Sequence, residues 1–339
     1  MPFSLRFRPR RALLIVVTGV LLLAAYALWY LNTPIPVAGF PVEFEIAPGT
    51  GLRGTVRTLE KAGIEVQPLH FELLARLTGR ATSIKAGNYE LAEPVSPRRL
   101  LDKLTRGEVA QAEITLIEGW TFAQLRATLN ASPLLRHESA GESDADLMQR
   151  LGMPGRHPEG MFFPDTYLFA RQSSDLAVLR RALHAMQRHL DHEWQTRETD
   201  LPYKTPYEAL VMASIVEKET GSPAERDQIA GVLVNRLRIG MALQADPTVI
   251  YGLGADFDGN LKRVHLATDG PYNTYTRPGL PPTPIAMPGR AALHAALHPA
   301  KTQALYYVSR GDGTSEFSRS LEEHNRAVTK YQLQPRRKR

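Results

Sequence analysis

The chain has 339 residues, enough for two or three ordinary structural units, and 43% are hydrophobic, so a packed core is expected. It contains no cysteine, which excludes disulfide scaffolds, thiolate metal sites, cysteine nucleophiles and a lipid carried on an N-terminal cysteine. The net charge of +6 suits an anionic membrane or wall polymer, but part of the excess sits at the ends (Arg6, Arg8, Arg10, Arg11; Arg336, Arg337, Lys338, Arg339), so the middle has no nucleic-acid footprint.

Residues 12–31 carry no charge and as a helix would cross a hydrocarbon core of about 30 Å. Trp29 and Tyr30 stand at the far end, four arginines precede the run, and no Lys or Arg follows before Arg53. This bias places residues 1–11 in the cytoplasm and everything after residue 31 outside the inner membrane. Ala25-Tyr26-Ala27 offers the rival reading of a cleaved signal peptide, but the apolar run continues through Leu31, which favours an anchor.

Residues 32–41 are Pro-rich and uncharged and read as a stalk. Val42–Ile46 alternates like a strand, Pro48-Gly49-Thr50-Gly51 turns, and Leu52–Ala62 has helical spacing closed by Gly63. A helix over 68–78, a strand over 88–91 and a helix opened by Ser96-Pro97 complete a small α/β unit spanning 42–110. The strand–turn–helix pattern recurs weakly at Ile114–Ile117, Gly119 and Phe122–Leu129. Helices are expected near 143–151 and 174–199, within a larger mixed α/β domain over 111–331 followed by a basic tail, 332–339. The expected class is α+β.

Thr205-Pro206-Tyr207-Glu208 reads as a capping box opening a helix that is apolar nearly all round through Val216, hence buried. Ser222-Pro223-Ala224-Glu225 repeats the pattern. At about 100° per residue, Glu217 shares a face with Leu210, Ala213 and Ser214, whereas Glu219 points nearly opposite. A carboxyl ending a buried helix loses water and meets the negative end of the helix dipole. Both raise its pKa, as a general acid near neutral pH requires. Small Ala213 and Ser214 would leave room for a ligand; a solvated Glu-Lys-Glu cap is the competing reading. Glu219 and Asp246 are candidates for a second carboxylate.

Downstream, Pro247 is expected to hold Asp246 extended, either meeting substrate or capping a helix over 247–251. Residues 271–284 alternate aromatic and amide side chains before four prolines, which suits a sugar or a structural crossover. Gln244, Asp246, Tyr272, Asn273, Tyr275 and Glu219 are therefore the expected substrate contacts. His294 and His298 lie four apart, but no HExxH frame accompanies them, and no metal is expected. Nucleophile-elbow, Walker and dinucleotide motifs are also missing.

Ala213-Ser214-Ile215-Val216-Glu217-Lys218-Glu219-Thr220 resembles the signature of the endolytic murein transglycosylases, the YceG-like family. The similarity extends, in order, through Glu118-Gly119-Trp120-Thr121, Pro158-Glu159-Gly160, Pro164-Asp165-Thr166-Tyr167, Val234-Asn235-Arg236-Leu237, Leu243–Thr248, Tyr272–Tyr275, Pro278–Ile285 and Phe317–Asn325. It departs slightly at Ala245, where Thr is common. The resemblance implies one transmembrane helix, a LysM-like subdomain, a catalytic domain and Glu217 as the catalytic glutamate. It also implies cofactor-free, non-hydrolytic cleavage of the bond between N-acetylmuramic acid and N-acetylglucosamine in nascent peptidoglycan, leaving 1,6-anhydro ends. Work beside peptidoglycan synthases, ending chain growth, is the expected role. A non-catalytic wall-binding or division scaffold and a hydrolytic muramidase are the alternatives.

Overall fold

The computed structural model describes residues 9–37 and 39–333, so Arg6, Arg8 and most of the basic tail lie outside the described residues. The chain forms two compact units: the part up to Ala112 with Leu168–Gln172, and Glu113–Tyr167 with the part from Ser173 onward. The expected division at 110–111 did not foresee that Leu168–Gln172 folds with the first unit.

In the first unit, α1 (Pro9–Asn32) leaves its apolar side chains from Leu13 to Trp29 largely exposed, and Leu13–Asn32 is long and apolar enough to cross a membrane. The chain after it is not the free stalk that its prolines suggest. Ile35 is buried, its N–H donates to the Val95 carbonyl at 2.9 Å, Glu65 N–H donates to Pro36 O at 3.0 Å, and Val37 bridges Ile64. Ile35, with Val37 packed against the same cluster, draws the segment into the core.

That core lies under an antiparallel pair, β1 (Val42–Ile46) and β2 (Gly87–Leu91), in register from Val42↔Leu91 to Ile46↔Gly87. Phe44, Ile46, Tyr89 and Leu91 point inward, while Glu43 and Glu45 take the other face, as alternation requires. Three helices supply the rest: α2 (Leu52–Lys61), α3 (Pro68–Leu77) and α4 (Pro97–Arg106). Ser96 Oγ accepts the Arg99 N–H at the start of α4, as the Ser96-Pro97 pair predicts, and Gly107 at φ +73° ends it.

β3 (Gln111–Thr115) pairs with β5 (Thr166–Ala170). Between them come α5 (Phe122–Ala131), the short β4 (Leu135–Arg136) and α6 (Asp144–Arg150); β4 pairs in parallel with β6 (Ser173–Ser174). A helical core follows: α7 (Asp175–Thr196), α8 (Pro206–Glu219), α9 (Arg226–Arg238), α10 (Asp246–Leu253), α11 (Arg263–Ala267) and α12 (Arg290–Leu297). The antiparallel hairpin β7 (Tyr306–Ser309) and β8 (Ser315–Ser318) and α13 (Leu321–Val328) close the unit. α8 is its axle. Ala209 to Val216 are all buried, with α12, α7, α9 and α10 packed around them. Each large apolar side chain buried there contributes about 1.5–3 kcal/mol.

The two expected capping boxes fared differently. Thr205 Oγ1 accepts the Glu208 N–H at 3.3 Å, but the Glu208 carboxylate reaches the Lys204 N–H rather than that of Thr205. Ser222 makes no cap at all. Glu225 instead accepts from the Ser315 N–H and hydroxyl, and Pro223–Glu225 is a single 3₁₀ turn before α9.

Candidate active site

α8 brings two acids to its C-terminal end, and two residues of helix turn them about 200° apart. Glu217 is half-buried, and its Oε2 accepts the Gly289 N–H at 2.9 Å. Burial raises its pKa; the Gly289 N–H opposes this, the charge of Glu118 adds to it, and Arg226 and Lys218 oppose it.

Gly289 and Glu118 reach this point through one docking event. Gly119 N–H donates to Met287 O and Met287 N–H to Trp120 O, each at 2.8 Å, while Lys218 Nζ donates to Gly119 O at 3.2 Å. The tight turn at Gly119, φ +76°, brings Glu118 against Gly289, so closely that a methyl at 289 would lie 1.9 Å from Glu118 Oε1. A second carboxylate therefore flanks Glu217. It is neither Glu219 nor Asp246, and spacing gave no warning of it because Glu118 lies about a hundred residues upstream.

The room expected beside Ala213 and Ser214 is filled. Ser214 is fully buried; its hydroxyl donates to Val211 O at 2.7 Å and accepts the Ile285 N–H at 3.0 Å. The small side chains admit the segment that carries Gly289, so they position Glu217's partner rather than a ligand.

Glu219 enters a different cluster. Tyr307 Oη donates to it at 2.8 Å, and burial pushes its pKa up to about 7, with Asp246 adding and Tyr307 and Arg236 opposing. Arg236 is buried and spends its guanidinium on the carbonyls of Leu305, at 2.6 Å, and Leu243, at 2.7 Å. Asp246 accepts a hydrogen bond from Tyr275 Oη. It is the first residue of α10, not an extended residue before it; Ala245 holds the extended position, and no side chain caps the helix. Exposed Gln244 sits next door at φ +50°, its N–H bonded to Thr274 O.

Tyr272 hydrogen-bonds Thr283 at 2.8 Å and meets Tyr251 edge-on. Asn273 departs from expectation. It is buried, its Nδ2 donates to the carbonyls of His265, Leu266 and Thr268, and its Oδ1 accepts the Tyr275 N–H. With both ends of its amide committed, Asn273 closes its own loop and has no N–H left for a sugar.

A third acid, Glu159, is buried between the Phe122 N–H, which opens α5, and the Tyr251 hydroxyl at 3.1 Å. Burial pushes it up to about 7 against those bonds. It is sealed from a polymer and fixes a helix end. A cavity of about 850 Å³ opens beside the first half of α8, between Arg156, Tyr207, Val211 and Leu280–Pro282, and Glu217 is not in its wall.

His294 and His298 do converge with an acid, Glu193 of α7, whose Oε2 lies 3.0 and 3.4 Å from the two Nδ1 atoms. The imidazoles stack 4.2 Å apart and 17° from parallel. His294 bonds Glu193, and His298 Nε2 lies 2.8 Å from Thr196 O, so the pair clamps the end of α12 to α7.

A half-buried acid at the end of a core helix, gripped by one backbone N–H and flanked by a second carboxylate, has the burial and raised pKa that general acid–base chemistry calls for. The YceG-like family model matches residues 44–330, and the chain belongs to that family. Among curated relatives, an endolytic murein transglycosylase of Bacillus subtilis is 31% identical over 86% of this chain and 84% of its own. One of Streptococcus pneumoniae is 28% identical over 84% of this chain, which spans only 57% of the pneumococcal protein. A solved YceG-like protein from Listeria monocytogenes is 29% identical, with a TM-score of 0.55, over 84% of this chain and 98% of its own.

Proposed function

We propose that this chain is a lytic transglycosylase that cuts within peptidoglycan strands, and that Glu217 serves as both acid and base. The relatives' names support the reaction class. The observation that carries the residue assignment is Glu217 itself: raised by burial, half-open, and held at one oxygen by Gly289 N–H.

Protonated Glu217 gives its proton to the glycosidic oxygen between N-acetylmuramic acid and N-acetylglucosamine as that bond breaks. The muramyl C1 develops oxocarbenium character. The resulting carboxylate then takes the proton of the same sugar's C6 hydroxyl, whose oxygen closes on C1 as a 1,6-anhydro ring. One acid suffices because the nucleophile is already attached. Gly289 N–H steadies the carboxylate form, and Glu118 offers negative charge to the positive centre. Gln244, Asp246, Tyr272 and Tyr275 are proposed to line the path of the strand, with Glu219 adding its charge beside Asp246. α1 is proposed as a single-pass inner-membrane anchor with a cytoplasmic N-terminus. The unit over residues 42–110 is proposed to be LysM-like and to hold glycan, with peptidoglycan synthases as neighbours and the end of chain growth as the outcome.

Glu118 also favours a second reading, hydrolysis with Glu118 positioning a water. Product analysis separates the two. The full chain in detergent, given uncrosslinked strands, should yield 1,6-anhydro ends by mass spectrometry, and Glu217→Gln should lose at least about a hundredfold in rate while folding normally. Reducing ends would favour the hydrolase; undiminished cleavage by Glu217→Gln would remove Glu217 from the mechanism.

A further inference from the structure

α3 carries an anomaly. Its inner face, Phe71 and Ala75 with Leu74 beside them, packs into the first unit's core, as an amphipathic helix should. Yet Leu69, Leu73 and Leu77 are 82%, 54% and 79% exposed. They recur every four residues, so they form one continuous stripe along the outside of a ten-residue helix. Single exposed leucines need no explanation, whereas an aligned row of three marks a surface meant to be covered.

What lies beside the stripe says what covers it. His70, next to Leu69, touches the end of α1: its ring is 5.8 Å from Tyr26 and 5.2 Å from Tyr30, and Tyr26 Oη lies 3.3 Å from its Nε2. Tyr26 and Tyr30 are six and two residues before the end of α1, so the start of α3 sits roughly 3–9 Å back along the helix from its outer end. The apolar face of an interfacial helix is buried about 5–10 Å into the headgroup–acyl boundary, a range that overlaps this depth.

The connection is also stiff. Ile35 is buried in the unit, Pro36 and Val37 are tied to Glu65 and Ile64, and Thr33 N–H and Oγ1 both bond Trp29 O. The unit therefore does not hang from α1 on a flexible tether. Beside the leucines, Arg76 is exposed on α3 and Arg53 on α2, both near Glu72, placing basic groups where anionic headgroups would be.

We infer that α3 is a second membrane contact, lying in the outer interface of the bilayer that α1 spans, with Leu69, Leu73 and Leu77 among the lipid chains. This rests on the reading of α1 as an anchor. Its effect is to fix the first unit against the membrane in one orientation, with α3 down and the Glu43–Glu45 face of the β1–β2 pair away from lipid. A wall-facing surface is thereby chosen by three leucines rather than by the anchor.

The absence of cysteine makes the test clean. Single variants Leu69→Cys, Leu73→Cys and Leu77→Cys of the full chain are labelled with an environment-sensitive fluorophore and reconstituted into vesicles of phosphatidylethanolamine and phosphatidylglycerol. Val20→Cys in α1 and Glu45→Cys on the outer sheet face are labelled alongside. The three stripe labels should emit to the blue of the Glu45 label and be quenched several-fold more by lipids carrying nitroxide near the headgroup. The Val20 label should respond to nitroxide placed deep in the acyl chains. A buried Val20 label with stripe labels that match Glu45 overturns the inference and leaves the anchor standing. A Val20 label in water overturns both, because the anchor has then failed.

Discussion

Three acids in the second unit are raised by burial, and their partners assign them different work. Glu159 is enclosed and its oxygens are spent on a helix end and a tyrosine; Glu219 answers to Tyr307 and Arg236; Glu217 alone combines a single backbone grip with an open side. If the acid form of Glu217 starts the reaction, kcat/KM falls as pH rises through its raised pKa. Glu118 contributes to that raise, so Glu118→Gln should move the alkaline limb to lower pH; an unmoved limb would assign the limb to another group. Stability carries its own signature. Glu159 shifts from 4.5 to about 7, so between those values the unfolded chain ionises first and the fold loses stability as pH rises. The loss is on the order of 3 kcal/mol, complete above about pH 7. Urea midpoints at pH 5 and pH 7.5 should therefore differ less for Glu159→Gln than for the wild type. Glu217's place was legible because helix phase and burial are local properties. Glu118, Gly289 and Tyr307 were not, since each comes from about 70–100 residues away, and Asn273 misled because an amide reads alike whether it binds a sugar or its own loop.

At the scale of elements, what decides the site is the segment Thr283–Gly289, threaded between α8 and the loops before and after it. Ser214 bonds it from one side, and Gly160 lets it pass on another. Gly160 stands at φ +74°, and a Cβ there would lie 2.4 Å from Pro284 Cβ and 2.7 Å from its Cγ. Gly160→Ala should therefore cost about 2–4 kcal/mol through strain and overpacking, visible in thermal denaturation. It should also lower turnover, because Gly289 moves with Pro284. An alanine variant as stable as the wild type would mean that the segment shifts freely and does not set Glu217. Elements whose signals are short-range were readable: Ser96-Pro97 opens α4, and the turn at Gly119 precedes α5. Those settled by competition at a distance were not. Glu225 looked like a cap and is taken by Ser315; Asp246 looked like an N-cap and is held by Tyr275; the β7–β8 hairpin has too little alternation to announce itself.

For the whole molecule the open choice in the sequence was anchor against cleaved leader, and the packing of α1 bears on it. A signal peptidase needs the bond after Ala27 extended and accessible. Here Ala25-Tyr26-Ala27 lies within a continuous helix whose next turn includes Tyr30, and both tyrosines rest on His70 of the folded unit. Cutting after Ala27 would remove the first of these contacts and separate the rest of α1 from the apolar length that spans about 30 Å. The chain isolated from cells should accordingly retain residues 1–32, found by N-terminal sequencing or intact mass, and should stay with the membrane after an alkaline carbonate wash. A mature chain beginning at Leu28 and washing free would reject the anchor. It would also turn the Leu69–Leu73–Leu77 row into a surface awaiting a protein, because no bilayer would then be held within reach of it.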